Sequence, residues 1–382
     1  MKKAQQKAQR YVEQTRRFLR DYTQGLNVTD FKRLFDRDAA EAYAVLARDQ
    51  QTPPEKTGPE LFLQRVKIVF LGVSAKLSPA RRILFAGALL SALLGLLGPS
   101  ALEIGDNGLS LSISAAPFWF SLSIAILIFL LVVELVDRIR VRDELEVARQ
   151  LQADLMPGGS PDLPGFDFAH SYRNANEVGG DYYDFQLLPD GRMALLVGDA
   201  SGHGIAAGLL MAIANATLKT ALDVDPEPRK VAALLNRSLF RTGDRRAFMT
   251  LFYGLLDPHT GKLGYVCAGH PFPLLRKAGG KIRELGTGTL PLGLRPEIDL
   301  PTGETRIEPG DLLVLFTDGL PESIGGEERE AFGFGRLRRL LAEVGSPAHV
   351  HDRILLEFDR HVGQEPVTDD LTLVVVGRAA VA

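Results

Sequence analysis

The stretch "EVGGDYYDFQLLPDGRMALLVGDASGHG" fills residues 177–204, and its reading decides the fold. Two apolar segments, "GDYYDFQLL" and "RMALLVGD", flank "LPDGR". That connection has hairpin length, whereas a parallel crossover needs a dozen residues or more, so the pair is antiparallel. Each strand ends in a glycine cluster carrying an aspartate. Side chains alternate along a strand, which puts Asp181, Tyr183 and Phe185 on one face and Tyr182, Asp184 and Gln186 on the other. Asp184 is therefore set aside from any site that holds Asp181, while Asp199 shares the parity of Leu195 and Val197.

The same texture continues on both sides. "FDFAHSY", "FMTLFYGLLD", "KLGYVCAGH", "GDLLVLFTDG" and "DLTLVVVG" read as further strands, and "DPHTGK" as another hairpin turn. Helical spacing marks residues 205–222, 228–241, 335–343 and 348–361. Strands apolar on both faces must be covered twice, so the expectation for residues 159–379 is a layered α+β sandwich with sheets inside and helices outside.

Upstream, residues 83–102 and 108–133 contain no charged side chain. Each is long enough to cross a hydrocarbon core of roughly 30 Å, and together they predict a transmembrane helical hairpin over 83–135. The first starts too far along the sequence for a cleaved signal peptide. Lys76, Arg81 and Arg82 precede the first span and Arg138, Arg140 and Arg142 follow the second, while the connecting loop holds Glu103 and Asp106. Both flanking parts are thus expected on the cytoplasmic side of a plasma (inner) membrane. Residues 1–82 read as a small cytoplasmic helical region. They carry 17 basic and 9 acidic side chains, against 27 and 38 in residues 83–382. With a membrane segment directly following, attraction to an anionic leaflet explains that basic excess without nucleic acid. Residues 136–158 extend the second span as a linker helix ended by Pro157. Its stripe Val141, Leu145, Ala148, Leu151, Leu155 leaves two readings, a homodimer contact through residues 136–156 or packing on the chain's own C-terminal domain. Cys267 stands alone in an apolar run, which excludes a disulfide within the chain and a Cys-rich zinc site.

The acidic residues carry the chemistry. Asp318 has the parity of Leu312, Val314 and Phe316, and Asp369 stands just ahead of "LTLVVV". With Asp181 and Asp199 they are read as converging inward from four strand ends. Carboxylates so placed repel, and burying them unpaired is costly. No Lys or Arg adjoins these motifs to offset the charge. Oxygen-only ligands suit a hard divalent cation, Mg²⁺ or Mn²⁺, and a surplus of carboxylates suggests two ions sharing a ligand, with phosphoester hydrolysis as the natural reaction.

"EVGGDYYDF", "VGDASGHGIAAGLLMA", "FMTLFYGLLDPHTGKLGYVCAGHPFPLL", "LPLGL", "FTDGLPES" and "DDLTLVVV" follow the order of motifs in the SpoIIE-type, RsbU-like serine/threonine phosphatases. Residues 145–378 thus resemble the metal-dependent PPM (type 2C) family. The resemblance implies a four-layer α-β-β-α sandwich with a two-metal centre that dephosphorylates phosphoserine or phosphothreonine without a phosphoenzyme. It makes Asp181 and Asp199 bridging or paired ligands, adds the Ala200 carbonyl, and completes the set with Asp318 and Asp369. Asp370 stands behind these, where many relatives have Asn. It further implies a phosphorylated STAS-domain anti-sigma-factor antagonist as substrate, and control passing from the linker helix into the helices after "SGHG". Two features depart from the wider family. His203 lies four residues after Asp199 rather than two, so a proton-donor role does not carry over, and Arg173 is the nearest candidate for a phosphate-binding arginine. His203 and His270 read first as loop-holding imidazoles.

Two other readings compete. "MALLVGDASGHGIAA" has the outline of a dinucleotide loop, but Asp199 would face the pyrophosphate and the next segment turns antiparallel. A membrane-tethered, catalytically inactive pseudo-phosphatase that only binds a partner would have no need to sustain four mutually repelling carboxylates.

Overall fold

The computed structural model describes residues 59–97, 102–104, 111–113, 115–175, 178–242, 247–326, 329–363, 365 and 367–379, together with Tyr43, which is helical. The remainder of the helical region expected before residue 59 lies outside the described residues. The chain divides into two compact units, residues 1–138 and 139–382.

In the first unit, helices α1 (Pro59–Lys76) and α2 (Pro79–Leu97) precede an antiparallel pair, β1 (Leu102–Ile104) with β2 (Leu111–Ile113), and helix α3 (Ala116–Leu155) begins. Helix α1 falls within the helical region expected over residues 1–82. The sequence reading drew the apolar spans too far toward each other, because Leu102 and Leu111–Ile113 are extended. Helices α2 and α3 are long and apolar enough to cross a membrane. Their packing is inverted relative to a water-soluble hairpin. Ala88, Ser91 and Gly95 are buried on one face of α2, where a Cβ on Gly95 would sit 3.2 Å from the Phe120 ring. Leu90, Leu96, Ile124, Ile128 and Leu131 face outward. Small residues inside and branched apolar ones outside are what a lipid surround favours. Arg81 pairs with Glu134 at 3.2 Å and with Asp137, tying the start of α2 to α3.

The second unit holds two five-stranded sheets, antiparallel throughout. The first runs β10 (Thr302–Arg306), β7 (Lys262–Ala268), β6 (Met249–Leu256), β5 (Met193–Ala200), β4 (Asp181–Leu187). The second runs β3 (Phe166–Arg173), β14 (Leu371–Arg378), β11 (Leu312–Phe316), β8 (Leu274–Arg276), β9 (Ile282–Glu284). Tyr183, Leu195 and Val197 meet Leu313, Leu315, Val374 and Val376 between the sheets. Helices α4 (Ile205–Val224) and α5 (Pro228–Thr242) cover the outer face of the first sheet. A third helix by length and composition apolar enough for a membrane, α4 instead buries Ala207, Leu210, Met211, Ala214, Leu218 and Ala221 here. After the short α6 (Gly319–Glu322) and the antiparallel pair β12 (Ile324–Gly325) with β13 (Glu330–Ala331), helices α7 (Phe334–Leu341) and α8 (Pro347–Val362) cover the second sheet, α8 beginning at a Ser346 cap with Pro347 in its first turn. These are the four expected layers. β8, β9 and β10 went unread, the first two for brevity and β10 because "TGETR" is a polar edge strand.

The last turns of α3 pack on this unit. Leu155 and Met156 adjoin its core, while Val141 and Leu151 are exposed. The expected stripe is therefore split. Gln152, 4% exposed, grips Gly179 from both sides, its Oε1 accepting from Gly179 N at 3.0 Å and its Nε2 donating to Gly179 O at 2.8 Å. The Leu155 carbonyl accepts from Asn215 of α4, which also donates to the Tyr182 hydroxyl at 2.9 Å. The end of α3 thus holds the segment leading into β4 and, through Asn215, the first of the covering helices.

Candidate metal centre

The β4–β5 hairpin brings its two carboxylates face to face. Asp181 and Asp199 are register partners, and Ala200 N donates to Gly180 O at 3.1 Å beside them. That bond makes 181–199 a non-hydrogen-bonded pair, the kind with Cα atoms about 4.5 Å apart and the closest side chains. Like charges so placed destabilise a sheet. Gly180 lets this corner close, since a Cβ there would lie 2.7 Å from the Ala200 carbonyl oxygen and 3.2 Å from the Asp199 carboxylate.

Asp181 is 1% exposed and reaches across to the second sheet. Its Oδ2 accepts from the hydroxyls of Thr317 at 2.7 Å and Thr372 at 2.6 Å, and Thr372 N donates to Thr317 Oγ1 at 2.9 Å. The sequence reading missed these two threonines, although the alternation carries them. Leu313 and Leu315 point between the sheets, as do Val374 and Val376, so Thr317 and Thr372 point there too.

The same alternation corrects the reading of Asp318. Its supposed inward neighbours Leu312, Val314 and Phe316 lie in the outer core under α7 and α8. β11 ends at Phe316, and Asp318 has helical φ −65° and ψ −25° at the start of α6. Its position follows from that turn rather than from strand parity. Asp369 precedes β14, and its Oδ1 accepts from Asp370 N at 2.9 Å. Asp370 is buried and accepts from Ala175 N at 2.8 Å and Gly180 N at 2.5 Å, a supporting role. Asp184 faces away, accepting from the Tyr182 hydroxyl and from Gln186.

Burial drives the Asp181 carboxyl well above the usual carboxylate range, and the Asp199 charge adds to it against the two threonine hydroxyls. Burial, then Asp318, Asp369 and Asp370, push Asp199 up to about 8. Burial raises Asp318, with Asp369 and Glu322 adding. Asp369 is raised by burial and by Asp370, its backbone bond opposing. Thr250, the register partner of Asp199, bonds His270 Nδ1 at 2.9 Å. Burial holds that imidazole down at about 3. His203 is exposed. Arg173 forms a two-pronged ion pair with Asp359 of α8, which engages the guanidinium.

Among the described residues, no three His, Cys, Asp or Glu side chains are gathered closely enough to enclose one metal ion. The carboxylates form an acidic rim. No basic side chain figures among the groups that shift Asp181, Asp199, Asp318 or Asp369. Such a donor set fits hard divalent cations, which accept one or two carboxylates each and complete their shells with water. It does not fit zinc, which prefers nitrogen and sulfur.

A pH dependence follows. With its pKa raised from 3.8 to about 8, Asp199 keeps in the folded form a proton that the unfolded chain releases. The stability this contributes is fully present below about pH 4 and is lost as pH rises to about 8. In EDTA, the melting temperature is expected to fall between pH 5 and pH 8, and Asp199→Asn to flatten the fall. A flat parent profile would show that the carboxylate is not held neutral.

Residues 189–379 match the family model of Stage II sporulation protein E (SpoIIE). Protein IcfG of Synechocystis sp. is 29% identical over 266 residues, covering 62% of this chain and 42% of its own length. Phosphoserine phosphatase RsbU of Bacillus subtilis is 28% identical over 254 residues, covering 62% of this chain and 71% of its own. The chain thus spans under half of the first relative and about seven tenths of the second. Among solved structures, the SiaA-PP2C domain of Pseudomonas aeruginosa matches in fold with a TM-score of 0.57 at 21% identity, over 63% of this chain and 97% of that domain.

Proposed function

The chain belongs to the SpoIIE family of PPM-type phosphatases, and on that premise we propose that it is a membrane-anchored, metal-dependent hydrolase of phosphoserine or phosphothreonine in a signalling protein. The observation that carries the chemistry is the acidic rim, whose members raise one another's pKa with no basic side chain among their influences. Asp181, Asp199, Asp318 and Asp369, with the Ala200 carbonyl, would hold two divalent ions, Mn²⁺ or Mg²⁺. Bound there, such ions lower the pKa of water and neutralise charge developing on phosphate oxygens. The chain's own part is to fix these oxygens. Thr317 and Thr372 orient Asp181, Asp370 pins the backbone at Ala175 and Gly180, and the paired strands hold Asp199 opposite Asp181.

The substrate proposed is a phosphorylated STAS-domain anti-sigma-factor antagonist, on family grounds. The inverted packing of α2 and α3 supports a hairpin crossing the plasma membrane twice, with both flanking parts cytoplasmic. Mn²⁺-dependent release of phosphate from a phosphoserine protein by the purified chain tests the reading. Tight binding of such a protein without release, at any Mn²⁺ or Mg²⁺ concentration, would instead identify an inactive pseudo-phosphatase.

Control is proposed to pass along α3 through the Gln152 clamp. Gln152→Ala removes both bonds to Gly179 and is expected to lower phosphate release about tenfold, as loss of a supporting partner does at metal sites. Inserting two residues after Leu151 turns the rest of the helix by about 200° and should disturb the same contact. Activity unchanged in both variants would disconnect the helix from the site.

A further inference from the structure

A cleft of about 840 Å³ lies between the C-terminal half of α3 and the end of β3, beside the segment that is bonded to Asp370. Arg142, Glu146 and Arg149 line one wall and Tyr172, Arg173 and Ala175 the other. The two walls differ from the rim in charge. Among the described lining residues three arginines stand with a single glutamate, although residues 83–382 as a whole carry 38 acidic and 27 basic side chains. At spacings of four and three, Arg142, Glu146 and Arg149 share one helix face. Their neutralisation is incomplete. Arg149 meets Glu146 at 3.7 Å with both side chains more than half exposed, and among the described residues Arg142 makes no ion pair. Arg173 is held by Asp359.

The wall of the cleft is bonded to the acidic centre at Asp370. Ala175 N donates to Asp370, and Gln152 Nε2 stands 3.3 Å from the Tyr172 hydroxyl while gripping Gly179. A polypeptide that presents a residue at the rim can therefore lay its neighbours along the arginines. Arg142 and Arg149 are about 10 Å apart along the helix axis, the reach of about three extended residues. The rim repels anions by itself, so attraction for a negatively charged chain has to come from beside it.

We propose that this cleft binds an acidic segment of about three residues next to the phosphoresidue of the protein substrate, with Arg142 and Arg149 setting that specificity. The proposal rests on the phosphatase reading and names the class of substrate it takes. An anionic lipid headgroup is the less favoured source of charge, because one wall of the cleft is the end of β3 in the folded second unit.

The test uses the purified full chain with Mn²⁺ and phosphoserine peptides bearing three aspartates on one flank, on the other, or replaced by asparagines. One aspartate-flanked peptide is expected to have a KM at least about tenfold below the asparagine peptide, a preference that shrinks at high salt. In Arg142→Glu/Arg149→Glu the preference disappears, while kcat on the peptides and hydrolysis of p-nitrophenyl phosphate stay at the parent level. A preference that survives the double substitution overturns the proposal, as does an equal loss on p-nitrophenyl phosphate. So does a variant that loses only its binding to phosphatidylserine vesicles. If no peptide is hydrolysed, the phosphatase reading fails separately. Fluorescence anisotropy of the same labelled peptides then decides the cleft alone, a tenfold weaker affinity of the double variant for the aspartate peptide supporting it and an unchanged affinity ending it.

Discussion

Asp199→Asn is expected to reduce Mn²⁺-dependent phosphate release by on the order of 10³-fold while making the metal-free chain more stable at pH 8. The two effects share one cause. In the absence of cations, Asp199 is a largely buried carboxylate whose pKa stands at about 8, and its charge in turn raises Asp181. The amide removes that repulsion and the cost of burying a charge. It also removes an oxygen the cations need. In the parent, Mn²⁺ at about a hundred times its Kd stabilises the folded form by about 2.7 kcal/mol, and the variant should show little of this gain. Asp181→Asn and Asp369→Asn are expected to lose activity similarly. Asp184→Asn is the contrast, since Asp184 faces the opposite side of the sheet, bonded to Tyr182 and Gln186. Its specific activity per folded molecule should match the parent. Thermal melts with EDTA and with Mn²⁺, beside phosphate release, read all four variants. An Asp199→Asn chain that still melts higher with Mn²⁺, or still turns over, would remove this carboxylate from the centre.

What the sequence made legible depended on how far each strand runs. "LPDGR" is short enough to force antiparallel pairing, and β4 and β5 stay regular through Asp181 and Asp199, so alternation placed both. It failed at Asp318 because β11 ends one residue after Leu315, leaving Thr317 in the inward position and Asp318 in a helical turn. Strand ends are set by contacts made elsewhere, here the bonds between Thr317 and Thr372. Arg173 was legible as a charge near the right motif, but its partner Asp359 lies on α8, far along the chain. No local pattern encodes that pairing. The linker helix was read with two possible uses. Its exposed Val141 and Leu151 and its buried Gln152 show that a single apolar stripe did not describe it.

Gly319→Ala is expected to cost activity on the order of 10²-fold and to lower stability by about 1–3 kcal/mol, although Gly319 is itself no ligand. Glycine at this position serves close approach rather than an unusual backbone angle, since it is absent from the residues with positive φ. A Cβ there would fall 1.9 Å from the carbonyl oxygen of Asp370 and 2.9 Å from its carbonyl carbon. Both are backbone atoms, so no side chain can swing aside. The start of β14 must move off the start of α6, which separates Asp369 from Asp318. The same shift strains Thr317 N to Thr372 O at 3.2 Å and Thr372 N to Thr317 Oγ1 at 2.9 Å, the bonds that aim two hydroxyls at Asp181. Gly335→Ala supplies the opposite sign. Gly335 lies within α7, where an added Cβ meets only the end of Arg339 at 4.0 Å. Alanine is favoured over glycine inside a helix by up to about 1 kcal/mol, so that variant should be fully active and equally or more stable. Gly319→Ala matching it in melting temperature and phosphate release would mean that the contact between the two acidic turns does not position the carboxylates.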